Sequence, residues 1–215
     1  MKKQTVFLLI LLLGFQLQAQ KILFIGNSLT YANGLPLILE EIGRTYKKNI
    51  TTEMICFPNY AIVDHLKEGN VQKKIATENY DYVIIQQGPS SQEDGRKMLL
   101  KSGEVLSALC KQYNTKLAYY MVWPSKQYYF TFDKVIANHT EAAKFNEALL
   151  LPVGKYWKQY NQLNNKISLY DQDQFHPSEA GSFLAALVIF DKIHPNENLK
   201  QLPFKKVHFW IGHRE

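Results

Sequence analysis

The sequence predicts an α/β protein built on a parallel sheet. Three observations carry that expectation. Short β-branched or apolar runs alternate with longer amphipathic segments, the pattern of successive βα units. The run at residues 80–86 (YDYVIIQ) is nearly continuous in apolar residues, as strands covered on both faces are. Pro36 and Pro177 stand where helical segments begin, the position at which proline's missing N–H and fixed φ cost least. The chain has 215 residues, 46% hydrophobic and 20% charged, with eleven Gly, eight Pro and two Cys. These proportions fit one globular domain and exclude a disordered, collagenous or disulfide-stapled chain.

The elements follow in order. A first strand at 21–25 leads through a loop to a helix from about Leu35, with Pro36 in its first turn. A second strand at 50–57 precedes a helical stretch at 63–78. The third strand is 80–86, followed by a helix at 95–113 and a fourth strand at 116–122. Residues 124–133 (PSKQYYFTFD) are aromatic and irregular and read as an insertion on the loop side of the sheet. Helical periodicity returns at 137–150 and again at 153–162. A fifth, short strand at 167–170 and a helix at 177–192 complete the pattern, and a tail from about 195 wraps the surface. There is no internal repeat or linker, so residues 21–215 form one domain.

Residues 1–20 have the layout of a secretory signal peptide: Lys2 and Lys3, an apolar run from Val6 to Phe15, then a polar stretch reaching Ala19. The run is about half of the roughly 20 apolar residues a membrane span needs. No cysteine directly follows it to carry a lipid anchor. The expectation is export to the periplasm or beyond, with cleavage near Ala19 and no stable membrane anchor. The formal charge is +6, and loss of Lys2 and Lys3 leaves about +4. That charge is too mild and too evenly spread for a nucleic-acid partner. Cys56 and Cys110 read as buried free thiols in preference to a disulfide, and no motif around either marks a nucleophile.

In open parallel sheets, ligands bind beyond the carboxyl ends of the strands. After the first strand comes Gly26-Asn27-Ser28-Leu29-Thr30, a small-residue turn that presents a serine hydroxyl. After the last comes Asp171-Gln172-Asp173-Gln174-Phe175-His176-Pro177, which sets a carboxylate three residues before an imidazole. Serine becomes a nucleophile when a base takes its proton, and histidine is that base when a carboxylate orients it. Taken singly, Ser28, Asp173 and His176 read as turn or capping residues. Their joint occurrence at opposite ends of an α/β chain points instead to a Ser, His and Asp constellation. There is no HExxH helix, no Cys/His cluster and no glycine-rich phosphate loop, so no metal or cofactor is expected. Asp64 and His65 read as polar contacts near a helix start. Aromatic residues concentrate at 119–132; those before Pro124 read as core, and the later ones as an exposed platform for a sugar ring or an acyl chain. Trp123 reads either as a pocket wall or as packing.

These residues resemble a known family. GNSLT after the first strand and LYDQDQFHPSEAGSFLAAL at the last helix, together with DYVIIQQ and LPVGKYW, are similar to blocks of the SGNH (GDSL-type) hydrolases, in particular a bacterial branch of them. The resemblance spans residues 21–192. It implies a flavodoxin-like three-layer α/β/α sandwich with about five central strands, and ester hydrolysis through a serine nucleophile. It gives Ser28 as nucleophile, His176 as general base and then acid, and Asp173 as the residue that orients His176. The family takes its oxyanion donors from the serine backbone, a glycine after strand two and an asparagine side chain after strand three. Here Phe57-Pro58-Asn59-Tyr60-Ala61 lacks the glycine. Asn59 stands nearest its place, and asparagine tolerates the left-handed backbone better than most residues. After strand three the asparagine is missing, and Gln87 or Ser90 takes its place unless both are merely polar loop residues; Gln86 is a further amide within reach. Two functions follow: a secreted esterase acting on a small-molecule or carbohydrate ester, and a non-catalytic carbohydrate- or ester-binding protein on the same fold. The intact Ser28, Asp173 and His176 favour the enzyme. Oligomeric state is not legible in the sequence.

Overall fold

The computed structural model describes residues 19–163 and 167–199. The leader and most of the expected tail fall outside this range. Strands β1 (Gln20–Gly26), β2 (Ile50–Cys56), β3 (Tyr82–Ile85), β4 (Lys116–Tyr120) and β5 (Leu149–Leu151) form one parallel sheet in the order β2-β1-β3-β4-β5. The order reverses direction between β1 and β3, which opens a crevice at their carboxyl ends.

Strand β1 shows how the layers form. Ile22 and Phe24 point to one face and Leu23 and Ile25 to the other, all fully buried, because side chains alternate along a strand. The first face packs against α1 (Ser28–Tyr31), α2 (Leu35–Thr45), α7 (Val153–Gln162) and α8 (Glu179–Ile193). The second packs against α3 (Ile62–Glu68), α4 (Asn70–Thr77) and α5 (Glu93–Gln112). Helix α6 (Phe132–Phe145) lies between, with Phe132 in the first core and Ala142 and Ala143 in the second. The result is the three-layer sandwich expected. Among the described residues, no helix is long and apolar enough to cross a membrane.

The structure corrects the sequence reading at four places. Residues 167–170 are not a strand: Tyr170 makes one isolated antiparallel bridge to Pro177. The fifth strand is Leu149–Leu151, inside the segment read as helix. Helix α6 stops earlier because Asn146 caps it and Glu147 turns left-handed at φ 51°, releasing the leucines to pair with β4. The long helix expected at 63–78 is two helices, broken where Gly69 adopts φ 77°. Pro177 stands outside α8, whose N-cap is Ser178, its hydroxyl accepting the Gly181 N–H at 3.2 Å. Cys56 and Cys110 are free thiols, pushed up to about 12 by burial.

Candidate active site

At the end of β1 the chain turns sharply into α1, and three buried polar side chains, those of Asn27, Thr30 and Gln86, fix that turn. Gln86, just beyond β3, accepts the Asn27 N–H at 2.9 Å and the Thr30 hydroxyl at 2.8 Å on a single oxygen, Oε1. A Cβ at position 26 would lie 2.5 Å from that oxygen and 2.7 Å from Thr30 Oγ1, so only glycine fits there. Asn27 caps α1 through Oδ1, which accepts the Leu29 N–H at 3.1 Å. Ser28 is thus the first residue of a helix, with its hydroxyl half-buried at the crevice and a backbone N–H that no intrahelical carbonyl can reach.

Asp173 and His176 arrive on the loop between α7 and α8. Asp173 Oδ1 accepts the backbone N–H groups of Phe175 (3.0 Å) and His176 (2.9 Å), while Oδ2 accepts His176 Nδ1–H at 2.5 Å. A carboxylate with these partners only accepts, so the imidazole proton sits on Nδ1 and Nε2 is left as an acceptor. Ser28 Oγ lies 2.8 Å from that Nε2. The imidazole hydrogen bond, and then the Phe175 N–H, hold the Asp173 carboxyl below its ordinary value. The loop is closed by Asp171 N–H to His176 O (2.9 Å), and Gln174 takes φ 60° to make the turn. The structure therefore brings together the three residues that the sequence placed 148 positions apart.

The turn after β2 sits beside Ser28. Tyr60 N–H closes on Phe57 O at 3.3 Å, with Pro58 at the second position and Asn59 at φ 63° in the third, the residues a type II turn needs. Asn27 Nδ2 donates to Tyr60 O at 2.9 Å, and Phe57 N–H donates to Gly26 O at 3.2 Å, binding this turn to the serine turn. Asn59 itself is exposed.

The expectation that Gln87 or Ser90 offers a side-chain donor is corrected. Gln87 is 2% exposed, and its amide donates to Ser90 Oγ (2.8 Å) and Gly95 O (3.2 Å). The Ser90 hydroxyl donates to Gly88 O at 2.7 Å, and Asn138 Nδ2 holds Ser90 O at 2.8 Å. The two side chains close a knot behind the loop and have no donor to spare. Trp123 is likewise no open pocket wall. It is fully buried, stacked on Trp157 with ring centroids 3.5 Å apart, and its indole N–H donates to Phe175 O at 3.0 Å, beneath the histidine loop. His65 is 1% exposed and donates from Nε2 to Gly26 O at 2.8 Å; burial lowers its pKa and keeps it neutral. Asp64 accepts the Ala61 N–H at 2.9 Å at the start of α3. Sequence reasoning assigned no role to Asn27 and only a weak one to Gln86. For Asn27 a signal was present, since Asn followed by Ser at a strand-to-helix turn is an N-cap pattern. Among the described residues no cluster of acidic, His or Cys side chains is suited to hold a metal.

No protein-family model and no curated protein matches the chain. Solved structures do. A protein from Slackia heliotrinireducens assigned to the SGNH hydrolases is similar to it at 26% identity and TM-score 0.67, over 81% of this chain and 99% of the other. A lipase/acylhydrolase from Enterococcus faecalis matches at 15% identity and TM-score 0.66, over 85% and 99%. A catalytic mutant of an acetylxylan esterase from Geobacillus stearothermophilus matches at 18% identity and TM-score 0.63, over 81% and 94%. The likeness runs through nearly the whole of each of these proteins. On that ground the chain has the fold of the SGNH, or GDSL-type, hydrolases.

Proposed function

We propose that the protein is an exported serine esterase that removes an O-acyl group, acetyl above all, from a carbohydrate. The observation that carries the reading is the hydrogen-bonded line from Asp173 through His176 to Ser28. Ser28 Oγ attacks the ester carbonyl carbon while its proton passes to His176 Nε2. The imidazolium then gives that proton to the departing alcohol oxygen as the C–O bond breaks, leaving an acyl-serine. Water attacks the acyl carbon, with His176 again taking and returning a proton, and the carboxylic acid leaves. Asp173 keeps the proton on Nδ1 throughout and offsets the positive charge that His176 acquires. The N–H of Ser28, with the backbone N–H of Asn59 on the adjoining turn, is suited to the oxyanion. The carbohydrate part draws support from the acetylxylan esterases among similar structures, and export from the leader.

The saturation of Gln87 and Ser90 favours a second reading, a binding protein whose oxyanion site is too weak for turnover. One experiment separates them: hydrolysis of a short-chain aryl acetate and labelling by a fluorophosphonate, for wild type and Ser28→Ala. The esterase predicts turnover and labelling in wild type and neither in the variant. A wild type that neither turns over nor labels would favour the binding protein.

A further inference from the structure

The irregular aromatic segment after β4 contains a feature that neither the core nor the proposed chemistry accounts for. Residues Lys126–Thr131 wind into a 3-10 helix. Tyr128 breaks the helical pattern at φ −107° and ψ 25°, so the segment is two short turns joined at a kink, and its aromatic side chains divide between two sides. Tyr129 turns inward and meets Phe132 edge-on at 5.0 Å, Phe132 being 1% exposed. Tyr128 and Phe130 turn outward, 53% and 82% exposed, with ring centroids 6.3 Å apart. Burial of either ring would have stabilised the fold, so their joint exposure on one short turn calls for an occupant.

The turn is braced by its own hydrogen bonds and is joined to the proposed site. Tyr128 N–H donates to Ser125 O at 3.0 Å, and Thr131 Oγ1 donates to Tyr128 O at 2.7 Å. Lys126 N–H donates to Gln174 O at 2.9 Å, inside the loop that carries Asp173 and His176. Just upstream, Tyr170 OH donates to Pro124 O at 2.9 Å. The aromatic turn and the histidine loop are therefore tied to one another.

We infer that Tyr128 and Phe130 form a stacking platform for the sugar chain that carries the acyl group, an extended subsite beside Ser28. This rests on the esterase reading above. The platform is one-sided: Phe130 has the edge of Tyr128 beside it and water over most of its face. An acyl chain gains most when apolar walls enclose it. A pyranose ring, by contrast, lays its C–H face on an aromatic ring and leaves its hydroxyls in water. Exposed Gln127 and Lys134 flank the turn with polar groups suited to those hydroxyls. The backbone that carries both rings is hydrogen-bonded before the sugar arrives, which lowers the ordering cost of binding.

The test uses the full chain with Tyr128→Ala/Phe130→Ala, and with Phe130→Trp as the conservative replacement. Binding of partially acetylated xylohexaose, cellohexaose and mannohexaose is measured by calorimetry on the Ser28→Ala background, where turnover cannot intervene. At least one hexasaccharide is expected to bind, to weaken about three- to tenfold in the double alanine variant, and to recover with Trp. In the Ser28-containing enzyme, the ratio of kcat/KM for that hexasaccharide to kcat/KM for 4-nitrophenyl acetate should fall by a similar factor, through KM. The platform is overturned if no hexasaccharide binds, or if the double variant binds as tightly as its parent. It is also overturned if the variant loses 4-nitrophenyl octanoate hydrolysis in preference to the sugar, or if its main loss is binding to anionic lipid vesicles. Binding that depends on Tyr128 and Phe130 in a protein with no esterase turnover would keep the platform and remove the esterase. Turnover with unaltered sugar binding would do the reverse.

Discussion

Asp173 does two jobs with two oxygens, and substitution can separate them. Oδ2 takes the imidazole proton, and Oδ1 takes the N–H groups of Phe175 and His176 that shape the loop. Asn in its place can still accept the two backbone bonds on its carbonyl oxygen, but it lacks the charge and presents an NH2 to the imidazole. Asp173→Asn is therefore expected to lower kcat by about 10³- to 10⁴-fold with little change in melting temperature. Asp173→Ala should lose as much activity and also melt earlier, because the loop loses its internal acceptor. Steady-state kinetics and thermal melts on the pair check this; equal melting temperatures would remove the structural role. The sign with pH follows from the lowered carboxyl. Its contribution is present above the ordinary Asp value of 3.8 and fades as pH falls through the depressed one. At this scale Ser28 was legible from the small-residue turn after β1, and Asp173 and His176 from their three-residue spacing, although the strand read before them is absent. For Gln87 and Ser90 the sequence left donor and plain loop residue open, because a polar side chain after a strand looks the same whether it faces substrate or, as here, neighbouring protein groups.

Among the elements, the joint between β4 and the histidine loop sets how well His176 is aimed. Trp123 reaches from the end of β4 to Phe175 O, Lys126 reaches Gln174 O, and Tyr170 reaches back to Pro124 O. Trp123→Phe keeps a ring against Trp157 and deletes the N–H, so the loop loses one tether next to His176. Such misplacement is felt in the chemical step: kcat is expected to fall by about 10- to 100-fold with KM nearly constant. A variant that changed KM instead would make Trp123 part of the substrate surface, as the sequence allowed. The first, third and fourth strands were legible as apolar runs between turn residues, and the second, ITTEMIC, as a β-branched run. The fifth was not: Leu149–Leu151 continues an apolar helical pattern, and only the left-handed Glu147 separates it from α6. A single sequence does not reveal that break, since glutamate is an ordinary helix former. The run at 167–170 looked like a strand by composition but pairs with neither edge strand, β5 having taken the place beside β4 and Tyr170 bridging Pro177 instead.

At the scale of the whole molecule, the ends of the sheet are specialised in opposite ways. The carboxyl ends of the strands hold a hydrogen-bonded site with few ion pairs. Near the amino ends, β1, β2, α4 and the approach to β3 are joined by a cluster of charges. Lys21 pairs with Glu53 at 2.7 Å and with Glu78, while Lys74 pairs with Glu53 at 2.5 Å and Glu78 at 2.8 Å. Tyr80 adds its hydroxyl to both carboxylates. These residues are scattered through the sequence and meet only because the sheet order sets β2 beside β1. The hydrogen bonds from Lys21, and then Lys74, hold the Glu53 carboxyl below its ordinary value and that of Glu78 down to about 2. Both lysines are raised above 10.5, chiefly by their bonds to Glu53. The lysine contribution is thus complete below pH 10.5 and is lost only as pH rises through the higher folded values, so the cluster persists through the neutral and mildly alkaline range. The carboxylate contribution is complete above the ordinary Glu value near 4.5 and is lost as pH falls through the depressed ones, reaching about 2 for Glu78. Acid is therefore where the cluster fails. Melting temperature should drop between about pH 4.5 and pH 2 in the wild type. Glu78→Gln should start lower at neutral pH and converge on the wild type near pH 2, as the charge it lacks is neutralised in both. Side chains that are about one-third exposed are screened by salt, so molar sodium chloride should narrow the neutral-pH gap. A constant gap from pH 7 to pH 2 would show that Glu78 acts through packing rather than charge.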